Sequence, residues 1–158
     1  IFQNRTNIAM LSLNLPTFEA KIKKAGGKHV IFDVIRRRYV ALTPEEWVRQ
    51  NFIHFLFEHK GYPKTLMANE VQLALNGTKK RCDTVLYKRD LTPQMIIEYK
   101  APHVEITQAV FDQIYRYNLV LKVTYLVVSN GICHYCCRIN YERESYVFLP
   151  TIPCYAEL

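Results

Sequence analysis

The chain has no apolar run approaching the roughly 20 residues of a membrane-spanning helix. It also shows no basic-then-apolar leader with a small-residue cleavage site. Neither a membrane span nor secretion is expected. Residues that break structure are scarce: 5 glycines and 7 prolines in 158 residues, with no repeat, low-complexity tract or Pro/Gly/Ser-rich linker. With 49% hydrophobic and 13% aromatic residues, collagen-like and disordered chains are excluded and a single domain with a buried core is expected. Acidic residues are short, 14 against 21 Lys and Arg, for a formal charge of +7. That imbalance favours a polyanionic partner, nucleic acid first and an anionic membrane surface second. The five cysteines are too few and of the wrong parity for a disulfide scaffold. They point to a reducing compartment, the cytoplasm.

Residues 1–9 look unrelated to the rest of the chain, and Met10 reads as a natural start. The expectation is an extension over 1–9 and one domain over 10–158. Two short β-like runs, His29–Phe32 and Tyr39–Leu42, flank Arg36-Arg37-Arg38. This triplet reads either as a solvated turn or as a phosphate contact. A helix then opens with Thr43 as N-cap, Pro44 at its first position and Glu46 completing a capping box. Val48, Phe52, Phe55, Leu56 and His59 succeed it at helical spacing, and Gly61 and Pro63 end the helix.

Three β-like runs come next: Leu66–Leu75, Lys80–Tyr87 after an Asn76-Gly77 turn, and Gln94–Lys100. They predict an antiparallel meander. Thr107 caps a second helix running to about Leu121, with Val110, Ile114, Tyr117 and Leu121 on one stripe. The continuous apolar run Thr124–Ser129 predicts a strand buried on both faces. After an Asn130-Gly131 turn come Ile132–Ile139 and Tyr146–Leu149. A helix between the third and fourth strands predicts a parallel crossover. The expected fold class is α/β, a mixed sheet with flanking helices.

The meander concentrates charge at strand positions. Glu98 and Lys100, two apart, share a face, and an antiparallel partner can bring Asp83 beside Glu98. Two acids and a lysine at the end of an apolar strand read either as a salt-bridged surface hairpin or as a site. Burying them costs several kcal/mol per ion unless they are paired or bind a cation. Hard oxygen ligands favour Mg²⁺ or Mn²⁺ over Zn²⁺. With a lysine beside the cation, the set suits a phosphodiester.

Asp83 followed by Glu98-Tyr99-Lys100 resembles the PD-(D/E)xK nuclease superfamily, and the element order is similar to its αβββαβ, restriction-endonuclease-like core. The nearer resemblance is to the N-terminal nuclease domain of type I restriction enzyme R subunits, in a short stand-alone form. It is carried by residues 39–50, Lys80-Arg-Cys-Asp, Ile97-Glu-Tyr-Lys-Ala-Pro, Phe111-Asp-Gln-Ile-Tyr-Arg-Tyr-Asn and the strands around Ser129-Asn-Gly. The resemblance implies a Mg²⁺-dependent deoxyribonuclease in which Asp83 and Glu98 bind the metal, Lys100 orients the attacking water, and the 3′ oxygen leaves. Gln113 and Tyr117 match a Gln-x-x-x-Tyr element of related nucleases, Gln113 as a catalytic group and Tyr117 as a DNA contact. Glu45 or Glu46 would supply a further acid from the first helix, and Glu70 is an outlying candidate. Cys82 stands where the superfamily name has proline. Expected partners are DNA, a second copy of the chain for two-strand cutting, and a restriction-system protein.

No Gly-x-x-x-x-Gly-Lys-Ser/Thr loop occurs, so an ATP-driven motor is not expected in this chain. Without a target-recognition domain, sequence-specific cutting is not expected either. The alternative function is a nucleic-acid-binding or assembly module that keeps the fold without cutting. Cys133-His134-Tyr135-Cys136-Cys137 invites a zinc or iron–sulfur reading, but on a strand Cys133 and Cys136 face opposite sides. Cys82 and Cys154 lack paired spacing.

Overall fold

The structure is a computed structural model describing residues 12–158 apart from Asn76. The expected extension, the Met10 start and Asn76 of the expected turn lie outside the described residues. A three-stranded antiparallel sheet comes first: β1 (Ile22–Ala25), β2 (Lys28–Asp33) and β3 (Arg38–Ala41). Strand β1 has no counterpart among the expected runs. Its signal is Gly26-Gly27: Ala25 pairs with Lys28, so two residues close the hairpin, and both adopt positive φ, 58° and 75°. Glycine pairs tolerate that geometry best.

Helix α1 (Pro44–His59) is next, and the Thr43 side chain accepts the Glu46 N–H at 3.0 Å. The reciprocal half of the expected capping box is replaced, because the Glu46 carboxylate turns to Arg36 and Arg49. Two charged partners outweigh a single backbone amide.

The main sheet has six strands in sequence order: β4 (Met67–Leu75), β5 (Thr78–Tyr87), β6 (Pro93–Tyr99), β7 (Tyr125–Ser129), β8 (His134–Asn140) and β9 (Ser145–Leu149). All neighbours are antiparallel except β6 and β7, which run parallel with Met95 beside Tyr125 and Tyr99 beside Ser129. The connection between them carries α2 (Gln108–Asn118), as expected for a parallel crossover. The second helix ends at Asn118 rather than Leu121; residues Leu119–Leu121 tighten into a 3₁₀ turn and Lys122 adopts a left-handed conformation.

Strand alternation divides the core. Met95, Ile97, Tyr99, Tyr125, Val127 and Cys136 pack with Val48, Phe52 and Leu56 of α1. Ile96, Leu126, Val128 and Cys137 pack with Phe111 of α2. All five residues of β7 are buried, as its continuous apolarity implies. Cys136 and Cys137 are thus adjacent in sequence but belong to opposite faces, and Cys133 is exposed. Their buried thiols act as small apolar groups, and burial pushes both up to about 12. Among the described residues no helix is long and apolar enough to cross a membrane.

Candidate active site

The pairing of β5 with β6 sets Thr84 beside Ile97 and Val85 beside Ile96. Extending that register by one rung sets Asp83 opposite Glu98. Ile97 and Tyr99 face α1, so Glu98 faces the α2 side, where that helix roofs it. Asp83 is held from behind: its Oδ2 accepts the Tyr99 N–H at 2.9 Å, and its Oδ1 lies 3.6 Å from Nη2 of Arg49. Tyr99 is itself buried and donates its hydroxyl to Thr84 at 2.9 Å, which fixes the backbone between Glu98 and Lys100. Lys100 donates its N–H to the Ser129 carbonyl at 2.9 Å as the last rung beside β7. Asn130 braces the same end, donating to the Val104 carbonyl at 2.8 Å.

A cleft of about 330 Å³ opens between these strand ends and α2. It is walled by Glu45, Asp83, Glu98, Tyr99, Lys100, Val110, Gln113, Ile114, Tyr117 and Asn118. Gln113 and Tyr117, four residues apart, look into it from one face of α2. Tyr117 is 46% exposed, and Lys80 Nζ sits 3.6 Å over its ring. Of the first-helix acids, Glu45 lines the cleft, whereas Glu46 is buried in ion pairs with Arg36 and Arg49. Glu46 is therefore part of the scaffold. Arg36 likewise pairs with Asp33 and Glu46 and ties β2 to α1, so only Arg37 and Arg38 of the triplet remain exposed.

The electrostatics centre on Glu98. Burial, then the charge of Asp83, push its carboxyl far above the ordinary range, while Lys100 and Asn118 pull the other way. Glu98 Oε1 is fully buried without a hydrogen-bond partner. Burial and the charge of Asp83 also raise Glu45, against Lys100 and Arg49. Two carboxylates on facing rungs repel each other unless a proton or a cation intervenes. Asn118, whose Nδ2 donates to Ile114 at 2.9 Å, adds a buried, unpartnered Oδ1 to the same cleft. The donor set is hard oxygen, which suits Mg²⁺ or Mn²⁺. Among the described residues no three His, Cys, Asp or Glu side chains gather as a ready-made metal cage. Mg²⁺ fits that as well, since it commonly takes one or two carboxylates and fills its shell with water and phosphate oxygens.

The sequence model of a known family, the type I restriction enzyme R protein N terminus (HSDR_N), matches residues 44–153. The chain belongs to this family. The match begins at the first residue of α1 and includes every wall of the cleft, while the β1–β3 sheet lies outside it. A solved fragment of a putative HsdR subunit of a type I restriction enzyme from Vibrio vulnificus YJ016 has the same fold, with a TM-score of 0.52 at 19% identity. The likeness covers 72% of this chain and 24% of that one, so this R-protein N-terminal domain spans about a quarter of its solved relative. No functionally curated protein matches the chain.

Two residues that shape the cleft carry no assigned role in the sequence. Asn118 ends the stripe Val110, Ile114 at i+4 spacing, and a polar residue closing an apolar stripe is its signal. Arg49, 4% exposed, holds Asp83 from within α1. An arginine inside a helix gives no sequence sign that it is buried.

Proposed function

We propose that this domain is a metal-dependent DNA phosphodiester hydrolase of a restriction system. The observation that carries it is the convergence, in one cleft, of Asp83, Glu98 with its unpartnered buried oxygen, and Lys100. Asp83 and Glu98 would hold Mg²⁺ or Mn²⁺, with the Asn118 amide oxygen beside them. Bound there, the cation supplies Lewis acidity toward the phosphodiester and makes water a better nucleophile at neutral pH. Lys100 positions that water and offsets charge building on the phosphoryl oxygens. The water oxygen bonds to phosphorus as the ester P–O bond breaks, and the leaving oxygen takes up a proton. Gln113 orients the phosphate from α2, and Tyr117 offers an exposed ring to the nucleic acid.

The test is incubation of the purified domain with plasmid and single-stranded DNA at low salt, with Mg²⁺, Mn²⁺ or EDTA. Metal-dependent nicking or degradation, abolished by EDTA, is expected. DNA binding without turnover under every metal condition would replace this reading with a non-catalytic binding or assembly module.

The contacts to the DNA backbone fall on the exposed Arg37 of the β2–β3 turn and Arg38 at the start of β3. Arg37→Ala and Arg38→Ala should each reduce the slope of log K against log salt by about 1, weakening binding alike for all DNA sequences. Fluorescence anisotropy across a salt series checks this. Unchanged slopes would return the turn to plain solvation.

A further inference from the structure

Behind Asp83 lies a chain of alternating charges that the hydrolysis reading leaves unused. Arg49, 4% exposed, sits at its centre. Its Nη1 lies 3.1 Å from Glu46 Oε2, and its Nη2 binds Glu70 and lies 3.6 Å from Asp83 Oδ1. Its guanidinium also stands 5.7 Å over the Tyr99 ring, and the Tyr99 N–H holds the other oxygen of Asp83. The second oxygen of Glu70 takes Arg81 Nε at 2.6 Å.

Glu70 is placed at a backbone cost. It adopts φ 55° inside β4, a left-handed conformation rare for a non-glycine residue and rarer in a strand. The β4–β5 pairing runs through Asn69–Thr84 and resumes at Val71–Cys82. The interrupted rung is the one where Glu70 stands opposite Asp83. The distortion is thus confined to the rung of a candidate metal ligand, and its carboxylate is aimed at the arginine that contacts that ligand.

We propose that Arg49 is a charge brace for Asp83 and that Glu70 sets its strength. Arg49 and Glu70 are positioning residues, and the assignment rests on the reading of Asp83 and Glu98 as cation ligands. Without a divalent ion, Arg49 compensates Asp83 and keeps its carboxylate oriented toward Glu98. An arriving ion must share Asp83 with that positive charge. Glu70 draws Arg49 back and partly neutralises it, which leaves Asp83 free to ligate. The two residues therefore act on ion affinity with opposite signs, something a merely structural pair does not do.

Calorimetric titration of the metal-free domain with Mn²⁺ tests this, with melting curves run beside it to confirm folding. Glu70→Gln should weaken Mn²⁺ binding by about tenfold to hundredfold, the size typical of groups that support a metal ligand. Arg49→Gln should tighten it by about tenfold, because a positive charge beside the ligand is gone. The double variant should stay near Arg49→Gln rather than at the sum of the two single shifts, because Glu70 acts through Arg49. Arg49→Lys, which keeps the charge if Arg49→Gln fails to fold, should stay near the wild-type affinity. Shifts of the same sign in Glu70→Gln and Arg49→Gln, or no shift in either, would overturn the brace.

A wild type that binds no Mn²⁺ would sink the cation reading itself, and the brace is then judged in the metal-free protein. There, the Tm loss from Arg49→Gln should shrink markedly in an Asp83→Asn background, because the two side chains are coupled. Additive Tm shifts would overturn the brace independently of any metal.

Discussion

Lys100→Ala should lose at least about a hundredfold to a thousandfold in DNA cleavage, the scale on which a single group facing developing transition-state charge contributes. Lys100 is the one basic residue among the described residues that wall the cleft. Its loss removes the one ammonium that walls the cleft and leaves Asp83 and Glu98 in place. The fold should survive, because what Lys100 gives the sheet is its backbone N–H to Ser129, which alanine keeps. Melting should stay cooperative, with a Tm lowered by no more than a few degrees, because Lys100 also offsets the charges of Glu98 and Glu45. Lys100→Arg should recover little, since a planar, weakly hydrated guanidinium does not substitute for a compact ammonium at a water-holding position. Plasmid nicking followed over time, with circular dichroism melts alongside, is the measurement. Wild-type cleavage in Lys100→Ala would remove this residue from the chemistry and, with it, the central support for hydrolysis.

Glu98→Gln should have the second largest effect, with two signatures of opposite sense. Ion binding should fall by at least about a hundredfold, because one of the two proposed carboxylate ligands is gone. Yet the metal-free protein should become more stable at alkaline pH. Burial and then Asp83 raise the carboxyl of Glu98 in the folded state, so between the ordinary carboxyl value and that raised value the folded protein binds more protons than the unfolded chain. Stability is then complete below the ordinary value and is lost as pH rises toward the raised one. Asp83, Lys100 and Asn118 are the groups that face Glu98 and set this balance. Glutamine removes the titration, so the Tm at pH 8 should rise by about 3–6 °C and the Tm–pH profile should flatten. In the wild type, ion binding should release a proton and tighten with pH. Melts from pH 5 to 9 and titration calorimetry in buffers of different ionisation enthalpy check both. A Tm at pH 8 that falls in Glu98→Gln would mean that the folded metal-free protein already satisfies the charge of Glu98.

Several parts of the site are legible in the sequence because they depend on local rules. Thr43 and Thr107 cap the two helices through their side chains, as their sequence positions require. Glu98 and Lys100 share a face because strand periodicity leaves no choice, and the apolar run before them marks a buried strand. Asp83 can be placed beside Glu98 once β5 and β6 are recognised as an antiparallel pair. Gln113 and Tyr117 are singled out by their resemblance to a Gln-x-x-x-Tyr element, and their four-residue spacing puts them on one face of the helix.

Other parts are not legible, because the deciding interaction spans long stretches of chain. Arg36 has two readings in the sequence, solvent or phosphate, and the structure gives it a third, because Asp33 and Glu46, ten residues on, take its guanidinium into ion pairs. Glu46 has a sufficient local role as a cap acid, and long-range charge pairing takes its carboxylate elsewhere. Glu70 is no more than an outlying candidate in the sequence, because its importance lies in a positive φ that side-chain type does not announce and in a cross-strand neighbour that only the register defines.

What the sequence by itself determined is the two helices, the six strands of the main sheet, their order and the face that Glu98 and Lys100 share, since helical and strand periods, caps and turns are short-range properties of the chain. What only the tertiary structure decided is which charges meet. Whether an arginine contacts solvent, a phosphate or a buried acid depends on which distant segment is packed over it. Arg49 beside Asp83 and Glu70, and Asn118 beside Glu98, are products of that packing, because charge interactions follow distance in space and not separation along the chain.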